Sequence, residues 1–225
     1  MRIEQAAVVG GIPGARVSGS RLRAAIKRGL DLAFATLGLA IASVPMVLIA
    51  LAIRLTDGGP VVFRHRRVGR GGAEFDCLKF RTMARGADAA LAAHLARSPG
   101  AGAEWAATRK LRDDPRILGR LGRVLRRTSL DELPQLWNVL CGEMSLVGPR
   151  PVVREELAHY AGQTGWYLGV RPGMTGPWQV AGRSDTSYAA RVRLDVQYAR
   201  FPSLRRDLGI LLQTPRALIR GKGAF

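Results

Sequence analysis

The sequence predicts a helix-rich α+β fold in which one long apolar helix precedes a small mixed body. Three observations carry this reading. Leu32 to Ile53, LAFATLGLAIASVPMVLIALAI, contains no charged residue. Pro60 to Met83 reads as two short strands around a glycine-rich turn. Later segments repeat apolar residues at helical spacing beside arginines.

The 225 residues suffice for one domain with a real core. Residues 1–20, MRIEQAAVVGGIPGARVSGS, hold glycines and a proline without a sustained period, so a flexible leader is expected there. No apolar stretch with a small-residue cleavage site follows the early arginine, which argues against a secretory signal.

Residues 21–56 form the expected membrane-embedded segment. A helix over Leu32–Ile53 matches a hydrocarbon core of roughly 30 Å. Pro45 near its middle removes a helical hydrogen bond, and Ser43 is close enough to bond a freed carbonyl. Arg21, Arg23, Lys27 and Arg28 precede the segment; Arg54, Arg64, Arg66, Arg67 and Arg70 follow it. Basic flanks stay cytoplasmic, and here neither side wins. Two readings stay open: a kinked span, or a segment that dips into one leaflet and turns back at Ser43-Val44-Pro45.

Residues 57–225 form the expected body. Its strands flank Gly69-Arg70-Gly71-Gly72. Gly86 to Arg97 is alanine-rich and helical, with Pro99-Gly100 as its stop. Ile117 to Arg127 carries Ile117, Leu118, Leu121, Val124 and Leu125 on one helical face. Tyr188 to Phe201 is amphipathic. Ser203 to Ile219 sets Leu204, Leu208, Leu211 and Leu212 beside Arg205, Arg206 and Arg216. Such helices lie in the headgroup region or cover an ordinary core.

The chain carries 35 Lys+Arg against 17 Asp+Glu, a formal charge of +18, so an anionic partner is expected. Against that background the adjacent acids Asp131 and Glu132 stand out. One reading is structural: Ser129 with Glu132 before an apolar run fits a capping box, and Pro134 fits a helix start. The other is chemical. A helix N-terminus with Arg126 and Arg127 nearby favours an ionised carboxylate and can receive phosphate. An ionised Asp beside a phosphate can form an acyl phosphate, while its neighbour holds a divalent ion. Arginines on the turns Gly148-Pro149-Arg150-Pro151 and Arg171-Pro172-Gly173, with Lys79 and Arg81 at the end of the second strand, suit bidentate grip on phosphate. Cys77 and Cys141 have no metal or catalytic spacing and read as packing residues.

These motifs, in this order from about Lys27 to Thr214, resemble the bacterial sugar transferases, the monotopic phosphoglycosyl transferases. The match comprises K-R-x-x-D (Lys27, Arg28, Asp31), GGPVVFRHRRVGRGGAEFDCLKFRTM, LRRTSLDELPQLWNVLCGEMSLVGPRPVV, RPGMTGPWQVAGRS and RLDVQYARFPSLRRDLGILLQT. The resemblance implies transfer of a sugar-1-phosphate from a UDP-sugar to undecaprenyl phosphate, with release of UMP. It implies Asp131 as nucleophile and Glu132 as ligand of Mg²⁺. It further implies Lys79, Arg81, Arg150 and Arg171 as phosphate or nucleotide contacts, with Arg127, Asp195 and Asp207 near the site and Gln179 and Arg183 toward the sugar. It favours the re-entrant membrane helix broken at Ser43 and Pro45. The catalytic body would then face the cytoplasm at the bacterial inner membrane, against anionic inner-leaflet lipids, with a homodimer as one possible assembly. The stretch GRSDTSY resembles hexose-1-phosphate transferases, which implies UDP-galactose or UDP-glucose, an N-acetylated amino sugar being the alternative. Two departures are the short stretch before the module and Leu204-Arg205-Arg206, where an aromatic often follows the serine.

Readings from other classes fit less well. A nucleic-acid binder would interleave aromatics with its basic stripe, whereas here they are few and scattered. Glycoside hydrolysis needs two carboxyls flanking a bond with one protonated, not adjacent acids beside arginines. A non-catalytic membrane scaffold would have no need of Asp131.

Overall fold

The computed structural model describes residues 21–108, 111, 113–182 and 187–219. The expected leader 1–20 and Arg183 lie outside them. The chain opens with α1 (Arg21–Asp57), a single helix of 37 residues that continues through Pro45. Its buried positions Asp31, Ala35, Ala42 and Ile53 recur at spacings that return to one helix face. The opposite face leaves Phe34, Leu37, Ile41, Val44, Val47, Leu48, Leu51 and Leu55 exposed. Among the described residues, α1 is the one helix long and apolar enough to cross a membrane. The Ser43 hydroxyl donates to the Ala40 carbonyl at 2.7 Å. That carbonyl is one residue before the one that Pro45 leaves without its helical donor.

Strands β1 (Val62–Val68) and β2 (Glu74–Phe80) pair antiparallel, with His65 opposite Cys77 and Phe63 opposite Lys79. Their connection turns at Gly71, whose φ of 71° suits glycine. α2 (Ala87–Arg97) ends as expected, but Pro99-Gly100 does not stop the chain. Pro99 opens α3 (Pro99–Thr108), since proline at a first helical position forfeits only a donor with no helical partner. α4 (Gly119–Thr128) and α5 (Gln135–Cys141) follow, then β3 (Ser145–Val147), α6 (Thr164–Leu168), β4 (Gly173–Thr175), α7 (Pro177–Ala181), α8 (Tyr188–Arg200) and α9 (Leu204–Ile219).

The pairing of β3 with β4 is parallel, and each strand has three residues, too few for a period to show. Beyond β3, the backbone of Gly148 meets those of Gly173 and Gly176. A Cβ at Gly173 would lie 2.1 Å from the Gly148 nitrogen, and one at Gly176 2.0 Å from its carbonyl oxygen. Only glycine permits this contact, which seats the Gly148–Pro151 turn on the segment leading into α7.

The buried face of α1 meets the body along its length. Ala35 and Leu39 pack with Phe75 and Cys77 of β2 and with Leu136 and Val139 of α5. Met46, Ile49, Ala50 and Ile53 pack with Phe80, Leu118 and Leu125. Burying such side chains contributes about 1.5–3 kcal/mol each. Polar ties fasten both ends. Lys27 donates to the Val147 carbonyl at 3.1 Å and pairs with Asp207 at 3.0 Å. Arg28 donates to the carbonyls of Val139 and Leu140 near the end of α5. Asp31 accepts from the Ser145 hydroxyl and the Leu146 amide. At the far end, Arg81 donates to the Asp57 carboxylate and the Gly58 carbonyl.

Candidate active site

The acid pair lies on a 3₁₀ turn, Leu130–Glu132, between α4 and α5. Ser129 enters it with φ 56° and ψ 20°, a left-handed conformation uncommon outside glycine, and its amide closes α4 on the Arg126 carbonyl. No side-chain capping bond forms at Ser129, so the capping box is not present. Glu132 instead accepts from Lys79 of β2 at 2.7 Å. Asp131 points inward and is 9% exposed.

Burial dominates the chemistry of Asp131. Desolvation, joined by the Glu132 charge, raises its pKa to about 6; Lys79 and Arg126 pull it back down. The helix-terminus effect expected from sequence is therefore outweighed, although the carboxylate still predominates at pH 7. Arg126 is the α4 arginine that acts on Asp131; Arg127 is exposed.

A second group of side chains adjoins the same hairpin. The buried Cys77 thiol, pushed up to about 11 by desolvation, feels Lys79 and Glu132 together with Arg67 and Arg150. Both groups thus act on one buried thiol of β2. Arg150 stacks on Trp178 at 5.1 Å, and Arg191 of α8 lies 4.1 Å from the same ring and 4.9 Å from Tyr188. Asp195 is fully buried and accepts from the Tyr160 hydroxyl at 2.9 Å. Desolvation raises it to about 7 against the pull of Tyr160, Arg191 and Arg150. The Tyr167 hydroxyl, within reach of the Arg150 and Val68 carbonyls and the Val152 amide, fixes the Arg150 turn against β1.

This group is unusual in what it leaves unpaired. The Nε atoms of Arg150 and Arg191, Trp178 Nε1, Gln179 Oε1, the Tyr188 hydroxyl and Asp195 Oδ1 are buried without a hydrogen-bond partner of normal geometry in the protein. Buried polar atoms are normally paired, and each one left unpaired costs about 1–3 kcal/mol. Donors and acceptors converging in this way suit a polar, anionic ligand.

The structure thus gathers Lys79, Asp131 and Glu132 in one place and Arg150, Gln179 and Asp195 beside it. Three expected contacts lie elsewhere. Arg81 is buried and occupied by Asp57 and Gly58, where it fastens the end of α1. The Arg171 Nε donates to the Gly142 carbonyl at 2.7 Å, just past the end of α5, whereas Asp131 lies before its start. Burial and the nearby charges of Arg28 and Arg70 lower the Arg171 pKa. Asp207 accepts from Tyr198 at 2.6 Å and pairs with Lys27, beneath α1. Trp178, Tyr188 and Arg191 escape a reading of the sequence, because aromatics scattered along the chain converge only in space.

Among the described residues no cluster of three or more metal-ligating side chains occurs. Asp131 and Glu132 still fit Mg²⁺, which takes one or two carboxylates and completes its shell with phosphate and water. Glu132 uses Oε1 for Lys79, which leaves its other oxygen for such an ion.

The family model for bacterial sugar transferases matches residues 22–221. The exopolysaccharide production protein ExoY of Rhizobium meliloti is 47% identical over 199 residues, 88% of each chain. The undecaprenyl-phosphate galactose phosphotransferase of Salmonella typhimurium is 46% identical over 200 residues, 89% of this chain and 42% of that one. The UDP-glucose:undecaprenyl-phosphate glucose-1-phosphate transferase of Caulobacter vibrioides is 40% identical over 210 residues, 88% of this chain and 72% of that one. These matches show that the chain belongs to the bacterial sugar transferase family and is a phosphoglycosyl transferase.

Proposed function

We propose that the protein moves a hexose-1-phosphate from a UDP-sugar to undecaprenyl phosphate through a phospho-sugar intermediate on Asp131, starting lipid-linked exopolysaccharide assembly. The observation that carries this is Asp131 itself: a buried carboxylate, ionised at neutral pH, with Glu132 and Lys79 beside it. In the first half-reaction a carboxylate oxygen of Asp131 attacks the sugar-linked phosphorus. The bond from that phosphorus to the bridging oxygen breaks, and UMP leaves with the electron pair. In the second half-reaction an oxygen of undecaprenyl phosphate attacks the same phosphorus and displaces the Asp131 carboxylate. Lys79 offsets negative charge on the transferring phosphate. Mg²⁺, when held by Glu132, would neutralise charge on the donor phosphates. Arg150 and Arg191, with Trp178, Gln179 and Asp195, would bind the nucleotide end of the donor.

The membrane reading follows from how α1 is held. A helix of this length measures about 55 Å, well beyond the hydrocarbon core. Yet Lys27, Arg28 and Asp31 near one end and Asp57 at the other are tied to the same body. These ties support both ends lying on one side of the bilayer, with α1 entering and leaving one leaflet and its bare apolar face in lipid. Residues 57–225 face the cytoplasm, where Trp137, Leu208 and Leu212 add exposed apolar contacts to anionic inner-leaflet lipid. A non-catalytic scaffold would not need a cluster of buried polar atoms left unpaired.

The test is purified enzyme with undecaprenyl phosphate and a panel of UDP-sugars, including N-acetylated ones, with UMP release as the readout. UDP-galactose or UDP-glucose should give the fastest release, and release from none of the panel would refute the assignment.

A further inference from the structure

A two-stranded sheet has two open edges, and open edges leave backbone groups without partners. On the outer edge of β2, neighbouring outward groups are closed by one side chain. The carboxamide of Asn138, in the middle of α5, accepts from the Leu78 amide at 3.0 Å and donates to the Asp76 carbonyl at 2.8 Å. It thereby takes the place of a third strand. Its second N–H donates to Glu143 at 2.6 Å. Two acceptors and one donor fix the orientation of the amide. The Asn138 carbonyl also receives the amides of Glu143 and Met144 where α5 ends. Asn138 is 2% exposed.

The two elements joined in this way carry the two halves of the acid–lysine site. Leu78 immediately precedes Lys79 on β2, while α5 follows directly on the turn bearing Asp131 and Glu132. The 2.7 Å contact between Lys79 and Glu132 ties the same strand to the turn that leads into α5. Hydrophobic packing by Leu136 and Val139 holds α5 near the sheet but does not fix its register along the strand. The bidentate amide does.

We propose that Asn138 is a positioning residue for the first half-reaction, setting Lys79 of β2 against Asp131 and Glu132 by holding β2 and α5 in register. This rests on Asp131 as the nucleophile, and Asn138 itself touches neither donor nor reacting atoms. A group that acts through Lys79 should affect the rate of the covalent step at each competent site. A group that only stabilises the fold should change how many sites are competent.

Rapid-mixing measurement of UMP release with donor alone separates these, because the burst amplitude counts competent sites and the burst rate constant reports the step. Asn138→Ala should slow the rate constant about 10-fold, with burst amplitude per folded molecule and donor KM changed less than about two-fold. In a Lys79→Met background, Asn138→Ala should slow the step no further. Asn138→Ser, which keeps one hydrogen-bonding group at the position, is measured in parallel and serves where the alanine variant does not fold. A lower amplitude with an unchanged rate constant, or effects of Lys79→Met and Asn138→Ala that multiply, would overturn the inference. Wild-type enzyme that gives no burst without lipid would remove the Asp131 reading itself, and this inference with it, before any variant is compared.

Discussion

Two buried polar regions of this molecule look alike in composition and differ in how completely they are paired. Beneath the start of α1, Lys27, Asp31, Ser145, Tyr198 and Asp207 form a network in which each side chain has a protein partner. Beside β1 and β2, Arg150, Trp178, Gln179, Tyr188, Arg191 and Asp195 each keep a buried polar atom without one. Among the described residues only Arg81 Nε shares that condition. Because an unpaired buried group costs stability, full pairing suits the first region to a clamp, and the unpaired atoms of the second suit the donor-binding role proposed for it. Charge alone would not have separated them, since both mix basic, acidic and aromatic side chains.

The largest effect that sharpens this contrast is expected at Arg150. Arg150→Ala should raise donor KM by about 30-fold, the loss of a charge-assisted contact worth about 2 kcal/mol, and leave thermal stability nearly unchanged. A fall in stability with an unchanged KM would make this group of side chains structural instead. Lys27→Met should do the reverse. It leaves the buried Asp207 carboxylate without its cation, and chemical denaturation should show a loss of about 1–3 kcal/mol, with the donor KM of the folded fraction unmoved.

A smaller and more diagnostic effect is expected at Asp195. Its carboxyl binds a proton with pKa about 7 when folded and near the usual ~3.9 when unfolded. The folded state therefore holds more protons between those values, and stability falls as pH rises through that window. A carboxamide in its place cannot ionise and can still accept from Tyr160. Asp195→Asn should match wild type near pH 4 and gain on it progressively up to pH 7, while donor affinity weakens. Melting curves across pH would show it, and an equal offset at every pH would contradict the burial of an ionisable group there. Least dramatic is Glu132→Ala, which should raise the Mg²⁺ concentration needed for half-maximal rate; an unchanged titration would remove Glu132 from that role.

Much of the fold is legible in the sequence because periodicity reports local structure. The hairpin, the alanine-rich helix, the helix before the acid pair and the two C-terminal helices all fall where spacing puts them. The paired strands β3 and β4 are not legible, since three residues carry no period and their contact depends on glycines meeting across the chain. At the site, adjacency marks Asp131 and Glu132, but not that burial outweighs the helix terminus in setting the Asp131 pKa. Arg81, Arg171 and Asp207 carry the right chemistry for phosphate or catalysis, and in the structure each already has a protein partner. Sequence shows a side chain's chemistry and not whether a neighbour already occupies it. Arg191 and Trp178 show the converse, ordinary in sequence and central in space.

The central claim is that Asp131 becomes covalently linked to sugar phosphate before any lipid takes part. Intact-protein mass spectrometry of enzyme mixed with donor alone tests this most directly. The account predicts a mass increase of one sugar-phosphate, mapping to the peptide that contains Asp131, with matching UMP release and neither event in Asp131→Asn. Full turnover with lipid present, but no adduct at any time with donor alone, would contradict it.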